Sequence, residues 1–171
     1  TRRTSEIGVR LAFGARPGQF AQVSKAGWKN WVTAQLDPTA IEDRILEERL
    51  ARECQSLGYS LAQLESMSRG QERREKREAR ERVKSELRTA VLLRAVYSER
   101  QFQEVIVDFW RNHLNVDVNK VPFLATHYEE HVLRRHGVDK FENLLLASAR
   151  HPAMLVYLDN FVSSRQGLNE N

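Results

Sequence analysis

Apolar residues in this chain return every three or four positions, in segment after segment, and nowhere alternate strictly over the length of a strand. That rhythm gives each segment one apolar face at helical spacing and leaves no material for a sheet. The broadest face lies in SERQFQEVIVDFWRNHLNV, where Phe102, Val105, Ile106, Phe109, Trp110 and His113 share one side; this segment is expected to be the central helix. Upstream, Ile41, Ile45, Leu46, Leu50, Cys54 and Leu57 trace a second stripe up to Gly58, and Trp28, Trp31, Val32 and Leu36 a shorter one ended by Asp37 and Pro38.

Punctuation agrees with the periodicity. The 8 glycines and 4 prolines fall between the periodic segments, as helix starts and stops do. A helix is expected to open at Pro17 and stop at Gly27, Asp139 to act as an N-cap, and Pro152 to occupy a first turn. Ser60 with Gln63, and Ser98 with Gln101, have the form of capping boxes. The resulting fold class is all-α: an irregular bundle of about seven to eight helices with no significant sheet, residues 1–171 forming a single helical domain.

At 41% hydrophobic residues, a chain of 171 has enough apolar material for a core. No run of about 18 apolar residues exists to cross a bilayer, and TRRTSEIGVR lacks the apolar centre of a secretory signal. Cys54 stands alone, which excludes an internal disulfide and a cysteine-rich zinc site; on its stripe it reads as a small buried hydrophobe. Trp28, Trp31 and Trp110 read as packing residues. The formal charge of +4 is a small excess of 27 basic over 23 acidic residues. Much of it runs through residues 69–86, SRGQERREKREARERVKSELR and its surroundings, where Glu72 to Lys76 and Glu78 to Arg82 form i,i+4 pairs and Glu75, Glu81 and Glu86 interrupt any positive face. A solvated helix fits this stretch better than a nucleic-acid arm, with docking onto the core expected at Val83, Leu87, Ala90 and Val91.

One motif invites a chemical reading. HYEEH at 127–131 has the form H-x-x-E-H, which on a helix sets His127 and His131 one turn apart as zinc ligands with Glu130 as general base. Against it, Thr126 and Glu129 have capping-box form, and a peptidase needs a third ligand from elsewhere. No glycine-rich phosphate loop, G-x-S-x-G elbow or Cys–His pairing is present.

Four ordered blocks, RLAFGARPGQ with W…QLDP, RAVYSERQFQEVIVDFWRNHLNV, YEEHVLRRHGVDKFENLLLASARHPAMLVYLDN, and GLNEN, resemble the bacterial domain of unknown function 1800 family. The resemblance implies the N-terminal portion of a longer chain, whose remainder would be its first partner alongside a possible protein partner. It also implies a periplasmic or secreted location, with the cytoplasm as the alternative, and it supplies no reaction. It asks for neither His127 nor His131; its matching histidines are His113, His136 and His151, each near a helix end. Such ends can converge at one end of a bundle. There His113, His136 and His151 would be candidate ligands for zinc, iron or manganese, with Asp108 or Glu170 as candidate proton acceptors and Asp159, Asn160 and Asn169 as further oxygen donors. On the plainer reading each histidine is structural, with His136 on its helix dipole, His151 as a cap and His113 within the core. Three functions follow, in order: a structural or interaction role, a metal-dependent enzyme, and anion binding through Arg69 to Arg88.

Overall fold

The computed structural model describes residues 12–14, 18–69 and 72–163, and among them every regular element is a helix. Helix α1 spans Gln19–Ala26 and α2 Trp28–Gln35, meeting at Gly27, whose φ of 85° is a conformation side chains resist. After a 3₁₀ turn at Pro38–Ala40 come α3 (Arg44–Glu53), a second 3₁₀ turn (Gln55–Gly58), α4 (Leu61–Ser68) and the long α5 (Arg73–Tyr97). Helix α6 runs Gln101–His113. Helix α7 begins as Pro122–Tyr128, widens into a π turn at Glu129–Leu133 and closes with Arg134–His136. Helices α8 (Phe141–Arg150) and α9 (Pro152–Tyr157) complete the described chain.

Three apolar clusters hold these elements. Leu46 and Leu50 of α3, with Cys54, pack on Ala90 and Leu93 of α5. Leu64 of α4 and Val83 of α5 close over Phe123 of α7. Val107 of α6 meets Tyr128, Val132 and Leu133 of α7, Leu144 of α8 and Ala153 of α9. Each large side chain so buried contributes about 1.5–3 kcal/mol. Helix α5 is solvated over its first turns and docked from Val83 onward, as its charge pattern requires. Its ion pairs differ from those expected: Arg74 takes Glu78 (2.8 Å) and Lys84 takes Glu81 (2.7 Å), leaving Glu78 unavailable to Arg82.

Several local readings hold. Ser60 and Gln63 form the reciprocal capping box, Cys54 is 1% exposed, and Pro152 occupies a first turn. Others are corrected. Helix α6 is not the central one: it buries Gln101, Glu104 and Val107, while Phe109 is 53% exposed. The burial falls instead on α7, whose Tyr128, Val132 and Leu133 are almost wholly enclosed. Ser98 and Gln101 form no capping box, because Gln101 is the first helical residue. Ser98 Oγ instead accepts the Arg100 N–H (3.1 Å) and donates to the Asp43 carboxylate (2.6 Å), while Gln35, far away in sequence, accepts the Phe102 N–H in the first turn of α6 (3.0 Å). Thr126 and Glu129 also form no box: α7 starts a turn earlier, at Pro122, and the Thr126 hydroxyl bonds back to the Pro122 carbonyl. Asp139 stands one residue ahead of the cap position, where it accepts from the Lys140 N–H and from Asn143. Ile45 points outward at 80% exposure, off the stripe assigned to it. Pro17, Asn169 and Glu170 lie outside the described residues.

Candidate functional site

The π turn of α7 is where chemistry-bearing side chains gather. Its signature bond runs from the Arg134 N–H to the Glu129 carbonyl, five residues back rather than four. Such insertions within α-helices often mark functional sites. Glu129 and Glu130 are sequence neighbours, yet they face different helices. Both Glu129 oxygens accept from Arg111 of α6 (2.6 and 3.1 Å), and both Glu130 oxygens accept from Arg94 of α5 (2.6 and 3.0 Å). One turn on, Arg134 reaches back to α6 and holds Glu104 through two bonds of 2.7 and 2.8 Å.

Three two-pronged Arg–Glu pairs therefore tie α5, α6 and α7 together inside the protein, with Arg94 7%, Glu104 4% and Glu129 3% exposed. Burial pushes the Glu104 carboxyl up, but the Arg134 hydrogen bonds and charge outweigh it, and the group stays ionised below its ordinary range. Burial likewise works against the Arg111 and Arg134 cations, and their glutamates more than restore them. The end of α7 is secured from α6 as well: Gln103 donates to the Arg134 carbonyl (3.1 Å) and the Trp110 indole to the Gly137 carbonyl (2.9 Å), filling acceptors that a helix terminus leaves open.

The histidines divide between two places. His127 touches both His131 and His151: the His127 and His131 rings stack at 3.8 Å with planes 6° apart, and His127 Nδ1 lies 2.9 Å from His151 Nε2. Their tautomers follow from the partners. The Ala153 N–H donates to His151 Nδ1 (3.1 Å), so the His151 proton sits on Nε2 and is donated to His127 Nδ1; His131 Nδ1 donates to the His127 carbonyl. His151 thereby caps α9. Burial, with the neighbouring His127 and His131, holds it down at about 4, and burial and His131 lower His127 too.

His113 and His136 are elsewhere. His113 lies exposed against Phe109, ring centroids 5.6 Å apart, and His136 faces Asp139 at 3.6 Å. His113, His136 and His151 thus have different partners. Among the described residues, no three His, Cys, Asp or Glu side chains are grouped to hold a metal ion. The H-x-x-E-H geometry fails in particular: parallel stacked rings aim their in-plane lone pairs side by side rather than at one point, and the Glu130 carboxylate is occupied by Arg94. Asp108, the candidate proton acceptor, pairs with Arg111 (2.8 Å).

Sequence reasoning missed the ion-pair core. Its signal was present: Gln101 and Glu104 stand in helical register with Val107, and Arg94 with Ala90, so polar residues occupy an apolar stripe. An open cavity of about 550 Å³ adjoins the Arg111–Glu129 pair, walled by Leu87, Val91, Val116, Val118 and Leu133.

Fold and site together define an all-α bundle cross-braced by buried guanidinium–carboxylate pairs. The profile of the family described as "Protein of unknown function (DUF1800)" matches residues 7–171, and the chain belongs to that family. No curated protein and no solved structure matches it.

Proposed function

We propose that the protein is an interaction module of the bacterial cell envelope, docking a polypeptide partner on an exposed aromatic face. The observation that carries this reading is a chain of ring contacts across α6 and α8. Phe109 meets Trp110 at 4.8 Å and His113 at 5.6 Å, and Trp110 stacks on Phe141 at 5.7 Å. Phe109 and Phe141 are each 53% exposed, and Leu145, one turn beyond Phe141, is 44% exposed. Contiguous apolar surface of this kind favours association, and aromatic side chains dominate such contacts because they are large and lose little rotamer freedom. The ion-pair core supports the role by fixing α6, which carries half of the face. Further residues of the same polypeptide are the first candidate partner, and the envelope location is what the family resemblance implies. No helix among the described residues is long and apolar enough to cross a membrane.

Photocrosslinking in cells from a reactive residue at position 141 of the full-length protein tests this. One dominant adduct, within the chain or to a single protein, and its loss on Phe109→Lys, is the expected result. No adduct, or an adduct indifferent to Phe109→Lys, would overturn the reading.

A further inference from the structure

A groove of about 540 Å³ lies on another face, between α4, the solvated half of α5 and the first turns of α7 and α9. Its floor is apolar: Leu61, Leu64, Phe123, Leu124 and Val156. Its rim carries Lys76, Arg80 and Lys120, with Glu65 as the acidic residue among them. The nearby carboxylates are bound to cations other than Lys76 and Arg80. Glu65 pairs with Arg69 at 2.6 Å, and Asp159 pairs with Lys120 at 2.9 Å. Arg80 donates to the Asn119 carbonyl (2.9 Å), and among the described residues neither Arg80 nor Lys76 has an ion-pair partner. Two such cations therefore overhang an apolar floor.

Volumes of about 300–1,000 Å³ with apolar walls and a few convergent polar groups are typical of small-molecule sites, and clefts rimmed by one sign of charge concentrate ligands of the other. We infer that this groove binds a single-chain amphiphile with a carboxylate headgroup, the acyl chain lying on Leu61, Leu124 and Val156 and the carboxylate between Lys76 and Arg80. The inference gives the charged stretch of α5 a ligand and is independent of the aromatic face.

Isothermal titration of the purified protein with monomeric dodecanoate provides the test, with dodecanol, dodecylamine, acetate and anionic phospholipid vesicles as comparisons. Dodecanoate is expected to bind at one site, more tightly than dodecanol, while dodecylamine and acetate do not bind. Lys76→Gln combined with Arg80→Gln should weaken dodecanoate about threefold to tenfold, the range for two solvent-exposed ion pairs, and leave dodecanol unchanged. Raising the salt concentration should act in the same direction. Val156→Trp, which fills the apolar end, should abolish binding of both amphiphiles with helicity retained; where that variant unfolds, the glutamine pair still decides. Equal affinity for dodecanoate and dodecanol, indifference to the glutamine pair, or binding to vesicles without binding to dodecanoate would each overturn the inference.

Discussion

Substituting Glu104 with Leu should destabilise the protein severely, and adding Arg134→Met should reverse the loss. Glu104 is 4% exposed and takes two Arg134 hydrogen bonds, at 2.7 and 2.8 Å. Its removal strands a guanidinium whose side chain is only 12% exposed and whose nearest remaining carboxylate, Glu130, is 3.9 Å away and already held by Arg94. Breaking a buried pair from one side costs about 3–5 kcal/mol, and the residual contact with Glu130 places this case near 3. Replacing both partners with apolar side chains removes the stranded charge together with the desolvation that ionisation requires. The double variant is therefore expected within about 1 kcal/mol of the parent, or above it. Urea unfolding followed by circular dichroism at 222 nm gives both numbers, with an unchanged slope showing that the native state is intact. A loss below about 1 kcal/mol for Glu104→Leu, or a double variant as weak as the two single losses added, would refute the view that this pair is a buried, mutually dependent unit. The parent should also lose stability in acid with a definite sign: Glu104 titrates below its unfolded value, so its contribution is complete above that value and disappears as pH falls through the lower, folded one.

Other consequences are quicker to check. Gly137 has an ordinary φ of −61°, so alanine is conformationally acceptable there, but its Cβ would stand 2.5 Å from the Leu133 carbonyl and 3.4 Å from Trp110; Gly137→Ala should cost about 1–3 kcal/mol and lower Tm by several degrees. His151 is held at about 4, below its unfolded value near 6.5, so stability should be complete above about pH 6.5 and decline towards pH 4, a slope that His151→Asn, which keeps a capping acceptor, should flatten. Cys54, 1% exposed and with its thiol raised by burial, should react with a disulfide reagent only as fast as the protein opens.

What was legible in the sequence was what depends on neighbours along the chain. Helical periodicity, the Ser60–Gln63 box, the burial of Cys54 and the docking of α5 at Val83 all follow from spacings of three or four residues, and the structure keeps them. The failures have one physical cause. At Ser98, Gln101 and Thr126 a local capping pattern was present, but one helix starts later, at Gln101, where Gln35, 67 residues from Phe102, takes its N–H, and the other a turn earlier, at Pro122. The error over α6 is of the same kind. Its most hydrophobic face is half-buried, with Phe109 exposed, while the side that goes inward carries Gln101, Glu104 and Val107, and the cost of burying Glu104 is met by Arg134 on another helix. A hydropathy pattern cannot register that compensation, since each charge read alone looks like a surface residue. The histidines show the converse: His127 and His131 drew attention by spacing, His113, His136 and His151 by family resemblance, and the structure pairs His127 with His151 across those two sets. The π turn explains why neither criterion found the cluster of ion pairs beside it. Glu129 and Glu130 are adjacent in sequence, yet the widened turn delivers them to Arg111 and Arg94 on separate helices, an arrangement with no counterpart in a regular 3.6-residue period.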